Sequence, residues 1–182
     1  MGISREHKPV KLFVGLLCNH ESLLRVVEEA LTKRFGAIEL ASPPFPWELT
    51  DFYEEEMGPK LLRKFFSHLP LIQPDRLAEI KIISQELESD YLWVKGGKKG
   101  RQVNIDPGYL DASKMVLATT KDASHRIYLG SGIYGEATLM FRHGSFQPHD
   151  YTYPDYRWPE TLSYFGALRS IYMEQLKLGR KC

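Results

Sequence analysis

Apolar runs and helical periodicity alternate along the first part of the chain. Residues 11–18, KLFVGLLC, form a nearly continuous apolar run, which predicts a strand that is covered on both faces. Apolar residues then recur at helical spacing from Leu23 to Phe35, and Gly36 is placed to end that helix. Residues 37–41 follow as a second predicted strand. The chain therefore opens with a β-α-β unit.

Two structures compete for residues 60–72. The leucines and phenylalanines there fit one face of a helix, but the segment also alternates in places and contains Pro70 near its end. We favour a strand, because a strand here completes a β-α-β-β-α-β order. Pro74 then starts a helix whose apolar stripe runs from Leu77 to Tyr91.

The stretch from Val103 to Phe141 is dense in turn residues and chargeable side chains. Its opening is β-prone, and the triplet at 106–108, Asp-Pro-Gly, predicts a turn that ends this first strand. Residues 110–120 then predict a short and mostly buried helix. The interpretation places the carboxylate of Asp106 at the end of a strand, where ligands often bind.

A β-hairpin is predicted next, with strands at residues 125–129 and 133–141 joined by Gly-Ser-Gly. Gly130, Gly132 and Gly135 fit the pattern G-x-G-x-x-G. The dinucleotide-binding form of that pattern requires a helix directly afterwards, and a strand is predicted instead. The glycines serve either a tight hairpin turn or a phosphate cradle, and the sequence leaves both interpretations open.

The C-terminal part combines an aromatic segment, YTYPDYRW at residues 151–158, with a final helix that begins at Pro159. We predict a single α+β domain over residues 1–182, with a flexible N-terminus at 1–9 and a core at 10–176. Its sheet would be mixed or mainly antiparallel. A ferredoxin-like βαββαβ opening would be followed by the β-hairpin and the C-terminal helix.

Composition narrows the functional classes. The 182 residues are 43% hydrophobic and 26% charged, which is typical of an ordinary globular protein. The net charge of +1 gives no field that would steer the chain to nucleic acid or to acidic membranes. No apolar run approaches the ~20 residues of a membrane span, and no secretory signal is evident. We therefore expect a cytoplasmic protein without a membrane or nucleic-acid partner.

Candidate chemistry is concentrated at residues 119–132. Threonine hydroxyls, an ammonium group, a guanidinium group and turn N–H groups are the donors that an anionic ligand needs. Histidine titrates near neutrality, so His125 is the candidate general acid or base. The predicted ligand-binding residues are Asp106, Lys114, Thr120, Lys121, Arg126, Gly130, Gly132, Glu136 and Tyr53.

The acidic segment TDFYEEE at residues 50–56 has two interpretations. Its carboxylates repel one another, so they face either water or neutralising cations. In the second case the segment faces the basic turn near residues 121–126 and holds a divalent cation through oxygen ligands. That cation is the sole cofactor the sequence suggests, and no metal ligand is assigned.

Several motifs resemble a bacterial and archaeal family of unknown function, domain of unknown function 4416. They are KLFVGLL, TDFYEEEMG, LAEIK, the long run from Val103 to Leu139, and YTYPDYRW, so the resemblance covers the chain from about Val10 to Leu176. Some members carry the label "GTP-binding protein", but neither a P-loop nor a guanine-reading N-K-x-D motif is present here. The resemblance implies no catalytic residues.

Two functional hypotheses follow. In the first, the protein binds a phosphorylated small molecule or a nucleotide at the anion site and acts on it if it is an enzyme. In the second, it is a non-catalytic interaction module whose acidic loop and aromatic C-terminal segment contact a protein partner.

Overall fold

The computed structural model describes residues 2–49 and 54–179 and shows one α+β domain built on a large antiparallel sheet. A separate two-stranded sheet is formed by β5 and β6. The strands are β1 (Val10–Cys18), β2 (Ile38–Ala41), β3 (Phe45–Pro46), β4 (Leu62–Ile72), β5 (Leu92–Lys95), β6 (Lys98–Arg101), β7 (Val103–Leu110), β8 (Lys114–Thr119), β9 (Ile127–Gly130), β10 (Ile133–Arg142) and β11 (Ser145–Pro148).

Helices cover both faces of this sheet. None of the helices in the described part of the chain is long and apolar enough to span a membrane. Short 3-10 helices lie at Pro74–Arg76 and Pro154–Arg157. The α-helices are α1 (Glu21–Phe35), α2 (Glu54–Met57), α3 (Leu77–Ser89) and α4 (Pro159–Leu178).

The ferredoxin-like opening is confirmed. Strands β1, β2, β4 and β7 lie in the order β7-β1-β4-β2, and each neighbouring pair is antiparallel. This arrangement follows when two β-α-β units interlock, with α1 and α3 as the connections. The strand predicted at residues 60–72, the β9–β10 hairpin and the C-terminal helix are confirmed as well. The sheet continues beyond β7 through β8, β10 and β11.

The helix predicted at residues 110–120 is wrong. The chain instead turns at Asp111, whose Oδ1 accepts hydrogen bonds from the backbone N–H groups of Ser113 and Lys114, and then forms β8. Met115 to Ala118 are all buried, because β8 is covered on both faces. A short apolar run without alternation has the same appearance in a buried strand as in a buried helix.

The turn predicted at 106–108 is also wrong, because the triplet lies inside β7 and pairs with β1. Proline is tolerated in a sheet where one side of the strand has lost its ladder partner. Pro107 meets that condition, since the pairing of β7 with β8 stops at Gly108.

Two apolar cores lie on opposite faces of the sheet. On one face, Val14 and Leu16 of β1 pack with Val27 and Leu31 of α1. On the other face, Phe13 of β1 packs against Phe165 of α4, with ring centroids 4.9 Å apart. This two-sided burial explains the continuous apolar run in β1.

A buried polar cluster lies between α1, β1 and β4. Lys11 Nζ is 2.7 Å from Glu39 Oε2 and donates to the carbonyl oxygens of His68 and Leu69. The buried His68 ring pairs its Nδ1 with the carbonyl oxygen of Gly36 at 2.7 Å, so Nδ1 carries the proton of the neutral ring. Burial lowers the pKa of His68, and the charge of Lys11 lowers it further.

Acid should therefore weaken the fold through His68. The unfolded chain binds this proton first, near pH 6.5, so the stability is present above that pH and is lost as the pH falls towards the lower folded pKa. One proton limits the effect to about 1.4 kcal/mol per pH unit. We expect the free energy of unfolding, measured in urea from pH 7.5 to 5, to fall less steeply in His68→Asn.

The matched control is His143→Asn. His143 is exposed and has a φ of 51°, a conformation that asparagine tolerates. This control should keep the wild-type slope, and equal slopes in wild type and His68→Asn would contradict the prediction.

Candidate functional site

A gap in the sheet creates the site. β7 pairs with β8 from Gly108 to Leu110, and towards its N-terminal end the two strands diverge. Helix α3 supplies replacement partners for the backbone of Ile105 at this point. Lys81 Nζ donates to the carbonyl oxygen of Ile105 at 2.7 Å, and the N–H of Ile105 donates to Glu88 Oε1 at 2.7 Å. The buried backbone is thereby satisfied by two charged side chains.

A cavity of about 290 Å³ occupies this region. Its walls come from β1, β4, β7, β8, β10, α3, the β6 strand and the segment around the second 3-10 helix. The wall residues are mostly polar. The cationic ones are Arg63, Lys81, Arg101 and Lys121; the acidic ones are Glu56, Glu88, Asp106, Glu136 and Asp155; and Trp47, Asn104, Thr119, Thr120, Tyr153 and Tyr156 also line the cavity.

Arg63 is the best-anchored cation in the cavity wall. Its Nε lies 2.9 Å from Asp155 Oδ2, its Nη1 lies 3.2 Å from Asp106 Oδ2, and its Nη2 donates to the Tyr156 hydroxyl at 3.2 Å. Burial opposes the charged form, but Tyr156 and the carboxylates of Asp155 and Asp106 outweigh it and raise the pKa of Arg63. The guanidinium therefore stays charged inside the protein.

Gly15 makes room for this guanidinium. A Cβ at that position would lie 2.9 Å from the Tyr156 hydroxyl and 3.0 Å from Nη2 of Arg63. Because Gly15 pairs with Asp106 on one side and Phe65 on the other, the glycine opens a space across the middle of the sheet. The sequence motif KLFVGLL thus contains a positioning residue.

The two carboxyl groups that contact Arg63 have pKa values shifted in opposite directions. Burial raises the pKa of Asp155, with the charge of Arg63 acting against that change. Burial also acts on Asp106, but Lys81 and Arg63 outweigh it and lower the pKa of that carboxyl. Asp106 Oδ2 additionally accepts a hydrogen bond from Asn104 Nδ2 at 2.7 Å. Such divergence within one cavity is typical of functional sites.

A second ion pair closes another side of the cavity. Arg101 binds Glu56 in a bidentate manner, with Nε and Nη2 at 2.6 and 2.9 Å from the two carboxylate oxygens. The hydrogen bonds from Arg101 lower the pKa of Glu56. Trp93 Nε1 donates to the carbonyl oxygen of Glu56 at 2.7 Å, so the β5–β6 hairpin is fastened to α2 through one residue.

Four of the predicted ligand-binding residues line this cavity: Asp106, Thr120, Lys121 and Glu136. His125 and Arg126 reach the same wall through Glu136, since His125 Nε2 and Arg126 Nε lie 3.3 and 2.8 Å from its Oε2. Arg126 also donates to the carbonyl oxygen of Lys121 and to the Tyr153 hydroxyl. The imidazole and the guanidinium therefore converge on one buried carboxylate.

The remaining predicted residues lie elsewhere. Lys114 forms an ion pair with Asp111 at the opposite end of β8. Gly130 and Gly132 have φ of 118° and 75° and form the β9–β10 turn, where added side-chain atoms would meet open space. Tyr53 and most of the acidic segment at 50–56 lie outside the residues that the structure describes. Their predicted roles are therefore carried no further.

Sequence reasoning missed Arg63, Lys81, Glu88, Arg101 and Asp155. Three of them carried a signal. Arg63 has the same strand parity as the buried Phe65, so in a strand its charged side chain faces the same side of the sheet as that phenylalanine. Lys81 and Glu88 are seven residues apart and fall beside the apolar stripe of α3.

Among the side chains that the structure describes, which leave out residues 50–55, no group of three or more histidine, cysteine, aspartate or glutamate residues is arranged to hold a metal ion. The carboxylates of the cavity are instead paired with lysine and arginine.

Comparison with known proteins identifies the family of this chain. Searches of curated proteins and of solved structures each found no match. A family model described as a domain of unknown function (DUF4416) matches residues 8–172, which include every described residue of the cavity wall. The chain therefore belongs to the DUF4416 family of domains of unknown function.

Proposed function

We propose that this domain binds a phosphorylated small molecule or a nucleotide in the cavity between β7 and β8. The observation that carries the proposal is the convergence of four cationic side chains, from β4, α3, β6 and the segment after β8, on one cavity. Phosphate oxygens accept strong charge-assisted hydrogen bonds from such groups.

The geometry supports this proposal in a second way. Burying several charges lowers the stability of a fold unless each charge is paired. Uncharged residues that fill the same space are often at least as stabilising. The cavity wall nevertheless carries Arg63 and Lys81, whose side chains are only 4% and 7% exposed. Local departures from the most stable arrangement are typical of functional sites.

Any chemistry on the ligand would involve the group around Glu136. His125 is the proposed general acid or base, since its Nε2 contacts Glu136 and its ring stacks on Tyr151 with centroids 4.2 Å apart. Glu136 would pass a proton between the cavity and that imidazole. A cytoplasmic location belongs to the same proposal and is supported by the buried free thiol of Cys18.

A thermal-shift screen with sugar phosphates, nucleotides and inorganic phosphate tests the proposal. A ligand at 100 times its Kd adds about 2.7 kcal/mol to the free energy of unfolding. For a domain of this size that corresponds to a rise in Tm of about 5–10 °C. Lys121→Met should abolish the rise, because Lys121 is one of the cationic residues that line the cavity.

Lys177→Met is the matched control. Lys177 is exposed on α4 and pairs with Glu174, so this variant should keep the full ligand-induced rise. If no phosphorylated compound raises Tm in the wild-type protein, the proposal fails.

One observation favours the alternative of a non-catalytic interaction module. Ile127, Tyr128 and Leu129 of β9 are 73%, 59% and 43% exposed, and contiguous exposed apolar residues on a strand are typical of contact surfaces. The aromatic C-terminal segment fits that role less well, since Asp155 and Tyr156 are buried. Stoichiometric capture of a protein partner that is lost in Tyr128→Ser, together with no response to phosphorylated compounds, would favour this alternative.

A further inference from the structure

We infer that the ligand is a compact phosphorylated polyhydroxy compound, of the size of a sugar phosphate, and that the cavity does not enclose a nucleotide base. The inference rests on the proposed phosphate-binding function and narrows it. Three properties of the cavity carry it: its volume, its balance of charges and the arrangement of its hydroxyl and carboxylate groups.

The volume sets the size of the enclosed group. A cavity of about 290 Å³ lies at the lower limit of the roughly 300–1,000 Å³ that ligand pockets occupy. A short polyol chain or one sugar ring with a phosphate fills such a space. A nucleoside phosphate would leave its base in solvent.

The charge balance shows that the wall offers acceptors as well as donors. Its cations are Arg63, Lys81, Arg101 and Lys121, whereas five carboxylates face the same space. A bare phosphate ion would leave those carboxylates facing an anion, which is unfavourable. A ligand that also carries hydroxyl groups donates hydrogen bonds to them.

Asp106 is the acceptor best placed for a ligand hydroxyl. Its Oδ2 is occupied by Arg63 and Asn104, but its Oδ1 has a long contact of 3.5 Å with Lys81 Nζ. The side chain is 29% exposed, in contrast to the 1% of Asp155 and of Glu136. Oδ1 therefore keeps accepting capacity for a ligand hydroxyl.

The segment after β8 is best placed for the phosphate. Thr119 Oγ1 accepts a hydrogen bond from the N–H of Lys121 at 3.2 Å, so its own O–H remains a donor. Thr120 and Lys121 are exposed and line the cavity, which places them at its mouth. The phosphate would thus lie at the mouth and the hydroxyl groups deeper, near Asp106.

Calorimetric titration of the full chain with matched probes tests the inference. The probes are inorganic phosphate, glycerol 3-phosphate, ribose 5-phosphate, glucose 6-phosphate and adenosine and guanosine 5′-monophosphate. The tightest sugar or polyol phosphate should bind at least tenfold more tightly than inorganic phosphate. Adding a base to ribose 5-phosphate should leave the affinity unchanged or reduce it.

Two variants locate the two ends of the ligand. Asp106→Asn should weaken the best sugar or polyol phosphate about tenfold and leave inorganic phosphate unchanged or tighter, because it removes the acceptor charge. Thr119→Val should weaken both classes by a similar factor. The melting temperature of each variant is measured first, and the wild-type series remains decisive if Asp106→Asn does not fold.

The outcomes separate this inference from the proposed function. A nucleotide that binds tenfold more tightly than ribose 5-phosphate would overturn the size argument and leave the phosphate site standing. Equal affinity for inorganic phosphate and for every sugar or polyol phosphate would contradict the inference that ligand hydroxyl groups bind the carboxylates of the cavity. No binding of any phosphorylated probe would overturn the proposed function and this inference with it.

Discussion

Replacing Arg63 by methionine should lower the free energy of unfolding by about 3–5 kcal/mol, the usual result of removing one partner from a buried ion pair. Methionine keeps the length of the side chain but leaves Asp155, which is 1% exposed, without its guanidinium partner. Tyr156 loses a hydrogen bond at the same time. Urea denaturation followed by circular dichroism measures this loss.

A second substitution should reverse part of the stability loss in Arg63→Met. If the loss arises mainly from a stranded carboxylate, Arg63→Met combined with Asp155→Asn should be more stable than Arg63→Met alone, by about 1–2 kcal/mol. Arg76→Met is the matched control, since Arg76 and Glu79 are about half exposed and their pair should have no measurable effect. A double variant that is less stable than either single variant would show that packing, and not charge, dominates.

Gly108→Ala should be the other severe substitution, with an expected loss of about 3 kcal/mol in the free energy of unfolding. A Cβ at position 108 would meet the ring of Phe13 and would lie 2.6 Å from the carbonyl oxygen of Val116. The phenylalanine ring has some freedom to move, but the carbonyl oxygen belongs to the paired strand β8. The strands would have to separate where their pairing already ends.

A glycine-to-alanine substitution at position 166 should have the opposite effect on the free energy of unfolding. Gly166 lies inside α4 and a Cβ there would meet open space, so Gly166→Ala should stabilise the fold by about 0.5–1 kcal/mol.

Adding Phe13→Leu to Gly108→Ala should restore part of the stability that Gly108→Ala loses. If Gly108→Ala is as stable as wild type, the close approach of β7 and β8 described here is wrong.

The order of elements could be predicted from the sequence because each element carries its own period. The apolar run of β1, the helical spacing of α1 and the ending glycine at Gly36 are local signals, and the structure agrees with them. The local pattern of residues 60–72 fits both a helix and a strand, and topology decides for the strand, since a strand completes the interlocked β-α-β units. The sequence predicts a helix for β8 because burial on both faces removes the alternation that identifies a strand.

The site was less predictable because its groups come from distant parts of the chain. Asp106, Thr120, Lys121 and Glu136 were found from a dense local stretch of chargeable residues. Arg63 and Asp155 form an ion pair with an N–O distance of 2.9 Å, although they are more than ninety positions apart in the sequence. No local sequence pattern indicates such a contact. Lys81 and Glu88 form hydrogen bonds with the backbone of Ile105 in β7. This role depends on where β8 diverges from β7.

The divergence of β7 and β8 also bears on how this protein moves. Three residue pairs of backbone ladder connect the ferredoxin-like half of the sheet to the outer strands, whereas β1 pairs with β7 over eight positions. Sub-global opening follows the least-bonded boundary of a structure. We therefore expect the joint between the two halves to be one place where the sheet opens, and the groups that wall the cavity from both sides to move apart when it does.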